Sequence, residues 1–272
     1  MRNYYQSVIE RFARKVFPDG RFLIVGTPSV VADDYEYIWV TGEDAIDNYY
    51  PHLVPGGIIS GMGKTDRLDV ATFEDVWFHV KPTEGKFLFT PVIITIDRTK
   101  EAEAEMHKWG IDYTLFEGIR HKAGHIGCAR SYYKIFEQNR DKDMLMVFED
   151  DVQFVRDPHT FTLEGVPADW DAVYLGANIK GPCENNYGPF SRMLSAWTTH
   201  AILWSKKLRE KILNEFNPDK GMPIDEWLNR RMCELRCYVT NPFYAIQRAG
   251  MSTIAQSNTD YITIFNSQNR LI

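Results

Sequence analysis

The sequence predicts an α/β protein built around a parallel sheet, and three observations predict it. From Phe87 onward, short apolar runs alternate with amphipathic stretches in the order strand, helix, strand, helix, strand. That order belongs to a sheet with right-handed crossovers. The third strand, Met144–Phe148, is apolar throughout, as a strand buried on both faces must be. It stops abruptly at Glu149, Asp150 and Asp151, where open α/β sheets place their ligands, beyond the carboxyl ends of the strands. No G-x-G-x-x-G follows any strand. The pattern is therefore the nucleotide-binding half of a Rossmann-like domain without the dinucleotide fingerprint.

Residues 1–86 read as a small α/β segment of their own. Val8, Phe12 and Val16 share one helical face within Tyr5–Val16. Phe22–Val25 and Tyr37–Val40 are short strands, Ala45–Leu53 a helix, Pro55-Gly56-Gly57 a turn, and Ile58-Ile59 the start of another strand. Lys81–Lys86, with Pro82 and Gly85, marks the boundary. The rhythm of "YEYIWVTGEDAIDNYYPHLVPGGIISG" resembles the later half of a class I methyltransferase. The Gly-rich turn such an enzyme needs is replaced by Gly26-Thr27-Pro28-Ser29. The segment is read as a remnant or structural appendage.

Beyond the boundary, Phe89–Ile96 is a buried strand ending in Asp97-Arg98. Thr99–Trp109 is a helix closed by Gly110, and Ile111–Phe116 is the second strand. Gly124–Asn139 is a helix burying Ile126, Ala129, Tyr133 and Phe136, with Gly127 and Ser131 on another face. After the acidic strand come strands at Ala172–Leu175 and Thr198–Trp204, then a helix capped by Ser205. A helix entered through Pro223 follows, burying Ile224, Trp227, Leu228, Met232 and Leu235. Arg236–Thr240 is the last strand. Residues 180–192, rich in Gly, Pro and Asn, read as an irregular substrate loop.

Side chains alternate along a strand, so Glu149 and Asp151 point one way and Asp150 the other. Two carboxylates on a stiff support make a hard-oxygen site for Mg²⁺ or Mn²⁺; a solvated acidic turn is the alternative. Composition favours the cation. The net charge is −6 and there is no run of Lys or Arg, which argues against nucleic acid. At 44% hydrophobic and 14% aromatic residues, the chain can fill a core. Four cysteines without C-x-x-C spacing argue against zinc and disulfides and for reduced thiols in the cytoplasm. The charged N-terminus shows no signal peptide, and no apolar run is long enough to span a bilayer. Peripheral association with a membrane surface stays open.

The ordered series "PVIITIDRT", "FEGIRHKAGHIGCARSYYKIFEQ", "MLMVFEDDV", "WDAVYLGA", "THAILWSKKLREKIL", "PIDEWL" and "YAIQRAGMSTI", across residues 90–255, resembles glycosyltransferase family 25. That family includes lipooligosaccharide hexosyltransferases and collagen galactosyltransferases. The resemblance implies a GT-A fold with a nucleotide-binding half and an acceptor half. It implies inverting transfer of galactose or glucose from a UDP-sugar to a glycan or glycoconjugate, as in lipopolysaccharide biosynthesis, helped by Mn²⁺ or Mg²⁺. Glu149 and Asp151 would hold the metal, with Asp151 the direct ligand. The donor side would take Thr95, Asp97, Arg98, Gly124, Gly127, Ser131 and Asp150. Asp225 would be the base, with Glu226 second, although both acids also suit a helix start. Gln247 and Ser252 fall in a family element near the site. One position departs: the family usually follows the serine with histidine, and here Ser131 is followed by Tyr132. His200, on an apolar strand, is expected in the core; Tyr132, Tyr133, Trp170 and Trp197 are candidates to stack on a uracil or a sugar, although most such aromatics belong to the core. Two competing readings are an inactive module binding nucleotide sugar or glycan, and methyl transfer by residues 1–86.

Overall fold

The computed structural model describes residues 86–248 and the strand backbones at 22–24, 35–41, 53–62, 71–73, 76–80, 250–252 and 257–259. The helices expected at Tyr5–Val16 and Ala45–Leu53 and the glycine-poor turn at 26–29 lie outside the described residues, apart from Leu53, which opens a strand. In the N-terminal sheet, β1 (Phe22–Ile24), β2 (Tyr35–Thr41), β3 (Leu53–Met62), β4 (Ala71–Phe73) and β5 (Val76–Val80) order as β1-β2-β3-β5-β4. The first three run parallel, and β5 runs antiparallel to both of its neighbours, β3 and β4. Pro55-Gly56-Gly57 is no chain reversal. It falls within β3, where the register with β2 jumps from Tyr35↔Leu53 to Tyr37↔Ile58.

The main sheet has eight strands: β6 (Val92–Thr95), β7 (Thr114–Glu117), β8 (Met144–Glu149), β10 (Ala172–Tyr174), β12 (Cys183–Tyr187), β13 (Phe190–Met193), β15 (Ala201–Ser205) and β16 (Cys237–Thr240). Their order is β12-β13-β16-β10-β15-β8-β6-β7. Only part of it is the expected parallel sheet. β7, β6 and β8 are mutually parallel, as are β10 and β16, but β15 runs antiparallel between β8 and β10. The chain enters β15 from the ligand-binding edge, so no crossover is needed. Two-stranded ribbons complete the described fold: β9 (Val152–Phe154) with β17 (Ala245–Gln247), β11 (Asn178–Ile179) with β14 (Ala196–Trp197), and β18 (Gly250–Ser252) with β19 (Ser257–Thr259).

Strand β8 explains its own sequence. Leu145 and Val147 enter one core, and Met146 and Phe148 the other. Both faces are covered, so alternation of polar and apolar residues disappears. Helices α2 (Gly124–Gln138), α3 (Lys206–Glu215) and α4 (Ile224–Asn229) cover the first face. Helix α1 (Thr99–Trp109) and the β9–β17 ribbon cover the second. Helix α1 ends as its sequence dictates. Gly110 is left-handed at φ 60°, and its N–H and that of Ile111 close on His107 and Met106 carbonyls. Ser205 caps α3 by accepting the Leu208 N–H at 3.1 Å.

Two further expectations are corrected. Residues 180–192 are not an irregular loop. Strands β12 and β13 form an antiparallel hairpin closed by Gly188-Pro189, with Gly188 at φ 60°. On α2 the buried stripe is rotated: Gly127, Ala129, Ser131, Tyr132, Ile135 and Phe136 are buried, and Ile126 and Tyr133 only partly. No helix among the described residues is long and apolar enough to cross a membrane. All four cysteines are free.

Candidate functional site

The topology brings four chain segments to one edge of the sheet. Strands β6 and β8 are parallel, so Ile96-Asp97-Arg98 and Glu149-Asp150-Asp151 emerge side by side. Because β15 is antiparallel to β8, with Ala201 opposite Phe148, the residues entering it, Thr198 to His200, arrive at the same edge. Helix α4 begins there with Pro223-Ile224-Asp225. Between them lies a cavity of ≈ 360 Å³, lined by Asp97, Arg98, Glu149, Asp150, Asp151 and Asp225 among others. Gly124, His125, Cys128, Ser131, Thr198, Thr199 and Gln247 complete most of its wall.

Each acid of the triplet is held differently. Asp150 Oδ2 accepts the Ile96 N–H at 3.0 Å, tying the end of β8 to the end of β6. Glu149 Oε1 accepts from Thr199 Oγ1 at 2.5 Å and from the Tyr132 hydroxyl at 3.0 Å. The same hydroxyl donates to the Thr199 carbonyl at 2.8 Å. Tyr132 therefore reaches the first acid of the triplet. Asp151 Oδ2 accepts from Gln247 Nε2 at 2.7 Å, and its carbonyl accepts the Arg248 N–H at 2.7 Å. Its Oδ1 is buried and has no hydrogen-bond partner.

Burial pushes the Glu149 and Asp151 carboxyls above their usual range. For Glu149 the neighbouring Asp151 charge adds to burial, while the bonds from Thr199 and Tyr132 oppose it. For Asp151 the Gln247 bond opposes burial, and Arg98 also favours the ionised form. Burial likewise raises Asp225, against backbone N–H donors from Glu226 and Thr198. It raises the Cys128 thiol strongly, so that group stays protonated. Five carboxylates face this cavity against one guanidinium, that of Arg98. Asp97 is exposed and paired with Arg120, but a cation would relieve the repulsion among the acids that burial raises, Glu149, Asp151 and Asp225.

The remaining candidates divide. Asp97 pairs with Arg120 at 2.7 Å, and that hydrogen bond lowers its pKa. Asp97 is thereby tied to the loop between β7 and α2. Ser131 lines the cavity, but its hydroxyl accepts the Ile119 N–H and donates to the Gly127 carbonyl, both at 2.8 Å. A Cβ on Gly127 would lie 2.3 Å from the Ile119 carbonyl oxygen. Both residues therefore seat the loop that carries Arg120. The Thr95 hydroxyl is bonded to that of Thr99 at 2.7 Å. Neither Thr95 nor Gly127 nor Glu226 lines the cavity. Glu226 turns to Arg230, one helical turn on, at 2.8 Å, so Asp225 is the acid that faces the site from α4. Ser252 falls among residues whose side chains lie outside the described set. The contributions of Thr198, Thr199 and Tyr132 were not foreseen, because nothing in a Thr-Thr pair before a strand announces contact with two distant acids.

Among the described residues, no group of three or more His, Cys, Asp or Glu side chains is arranged to enclose a metal ion. The donor set on offer is smaller: the unpartnered Asp151 Oδ1, with Glu149 and Asp150 beside it. These residues would suit a divalent cation such as Mg²⁺, which keeps several waters and needs few protein ligands. They do not fit a cation caged by protein alone.

No family model matches the chain, and no curated protein sequence matches it. Among solved structures it is similar to A197 from STIV at 14% identity and a TM-score of 0.40, over 63% of this chain and 95% of that one. It is also similar to the inositol-1-phosphate CTP transferase from T. maritima, at 14% identity and a TM-score of 0.35, over 68% and 78%. A third is a glycosyltransferase involved in glycosylating the major capsid of PBCV-1, at 12% identity and 0.35, over 62% and 97%. At TM-scores this low, these likenesses bear on neither the family of this chain nor its activity.

Proposed function

We propose that the chain is an inverting, metal-dependent glycosyltransferase of GT-A type, moving a galactose or glucose from a UDP-sugar to a hydroxyl of a glycan or glycoconjugate. One observation carries this reading. Acids from two distant segments, Glu149–Asp151 at the end of β8 and Asp225 at the start of α4, line one cavity at the carboxyl edge of the sheet. The family resemblance supports it independently, through the order of its motifs.

The chemistry needs two separated functions. A divalent ion shared between Asp151 and the diphosphate would supply neutralisation of charge on the departing UDP. Arg98, on the same wall, is suited to the diphosphate as well. On the α4 wall, Asp225 accepts the proton of the acceptor hydroxyl as that oxygen bonds to the anomeric carbon. The bond from the anomeric carbon to the phosphate oxygen breaks, and UDP leaves with the electron pair. Attack opposite the leaving group inverts the anomeric configuration. A carboxylate whose pKa is raised by burial is a stronger base than one in water, so the shift of Asp225 suits this role. Glu149, engaged by Thr199 and Tyr132, shapes the metal wall, while Asp151 supplies a buried oxygen with no hydrogen-bond partner.

The test is release of UDP from UDP-galactose and UDP-glucose in the presence of Mn²⁺. The expected result is turnover of one donor by the wild type and a fall of about 10²–10⁴-fold in kcat for Asp225→Asn. Absence of turnover and of binding for both donors would remove the reading.

A further inference from the structure

Thr198 is the single non-glycine residue at positive φ among the described residues, at +74°. A β-branched residue in that region is strained by contact of its Cβ with its own backbone. The sequence has many glycines, yet keeps threonine here, at the wall of the acidic cavity. Such strain persists only where the surroundings over-determine it.

The surroundings do so on both sides of the Thr198 N–Cα bond. Before that bond, the Thr198 N–H bears on the Asp225 carboxylate, which lines the same cavity, and favours its ionised form. After it, Thr199 Oγ1 donates to Glu149 Oε1 at 2.5 Å, and the Thr199 carbonyl accepts from Tyr132 at 2.8 Å. The Thr198 side chain pins the turn itself, since its Oγ1 accepts the Asn178 N–H at 3.3 Å. Rotation about φ would move one contact relative to the other. We propose that Thr198 is a positioning residue: its left-handed backbone fixes the Asp225 carboxylate relative to the Glu149 wall, and so sets the base against the donor site. This rests on the function proposed above.

The substitutions that test it are Thr198→Gly, which frees φ, and Thr198→Asn, which tolerates left-handed backbone and offers a side-chain acceptor for Asn178. The readouts are thermal stability, UDP affinity with Mn²⁺, and kcat with its pH profile for the UDP-hexose that the wild type turns over. Thr198→Gly is expected to lower kcat by at least about 10-fold. UDP affinity should stay within about twofold of wild type, because Glu149 keeps its bond from Tyr132 and Asp151 its bond from Gln247. The acidic limb of its kcat profile should move to higher pH, because Asp225 loses a donor that favours its ionised form. Thr198→Asn is expected to recover most of the lost rate. If Thr198→Gly keeps wild-type kcat and an unmoved acidic limb, the proposal is overturned while the function stands. Loss of UDP affinity and melting temperature together with kcat, without recovery in Thr198→Asn, would equally overturn it, as a structural role only. Failure of the wild type to bind UDP with either Mn²⁺ or Mg²⁺ would bring down the function, and this proposal with it.

Discussion

Gln247 Nε2 donates to Asp151 Oδ2 across 2.7 Å, joining residues 96 apart in sequence. The contact follows from the β9–β17 ribbon, whose register sets Gln247 opposite Val152, next to Asp151. Farther along, the Arg248 guanidinium lies 3.7 Å from Glu105, a residue of α1 that is wholly buried. Glu105 also accepts from the Phe154 N–H at 2.8 Å and from Trp109 at 3.0 Å. One oxygen of Asp151 is thus occupied by a support that reaches into the core, while the other is buried without a partner in a residue that lines the cavity.

Gln247→Leu removes that support without changing a proposed ligand. Residues that orient metal ligands typically contribute 10–100-fold to affinity. Mn²⁺-dependent UDP binding by Gln247→Leu, measured by calorimetry, is expected to weaken by about that factor. Binding of UDP without the ion should be unaffected.

Asp225 and Glu226 are neighbours with opposite assignments. Asp225 faces the cavity, while Glu226 is spent on Arg230. Steady-state kinetics should therefore separate them. Glu226→Gln is expected to keep kcat within about threefold of wild type, since an exposed pair on a helix contributes little. Asp225→Asn should lose most of kcat with donor affinity intact. Equal losses in the two variants would contradict the assignment of the base.

Gly176 tests the ribbon from behind. A Cβ there would lie 1.9 Å from the Ala245 carbonyl oxygen and 3.5 Å from the His200 ring. The first contact is with backbone, so β17 must move. Gly176→Ala is expected to lower stability by about 1–3 kcal/mol. It should also weaken metal-dependent UDP binding, because Gln247 belongs to the displaced strand. Thermal melts with and without UDP and Mn²⁺ would show both effects.

His200 lies in the core, as its apolar setting predicts. It is fully buried, with its ring beside the Ala245 backbone, which favours the charged form without offsetting burial. Burial lowers its pKa from 6.5 to about 4. The unfolded chain takes up a proton near pH 6.5 that the folded chain refuses until about pH 4. Stability supplied by the neutral ring is therefore complete above pH 6.5 and is lost as pH falls through the interval down to about 4. His200→Gln, which cannot titrate, should flatten the stability curve by roughly 1 kcal/mol per pH unit in that interval. Denaturant titrations at several pH values would measure it.

Much of this was legible in the sequence, for physical reasons that differ by element. The end of α1 at Gly110 and the cap at Ser205 rest on local backbone chemistry, which sequence displays directly. Strand β8 was readable because burial on both faces leaves an apolar run, and its acids stand at the edge where such sheets bind ligands. The segment around Asp225 was found through motif order. What stayed hidden depends on distant partners. Gly127 and Ser131 are buried by close approach of a loop, and neither residue type scores as apolar, so the α2 stripe was misplaced. The Gly188-Pro189 turn lay among so many polar residues that the flanking strands were read as loop. The antiparallel course of β15 follows from which edge the chain enters, and a strand's sequence carries no sign of that. Thr199 and Tyr132 meet Glu149 only because three separate segments converge.

The central claim is that Asp151 holds a divalent ion against the diphosphate of a nucleotide sugar. It is tested most directly by calorimetric titration of UDP with and without Mn²⁺, on the wild type and on Asp151→Asn. The account predicts binding by the wild type that depends on the ion, and loss of that dependence in Asp151→Asn. UDP binding that ignores Mn²⁺, or ion-dependent binding that survives in Asp151→Asn, would contradict it.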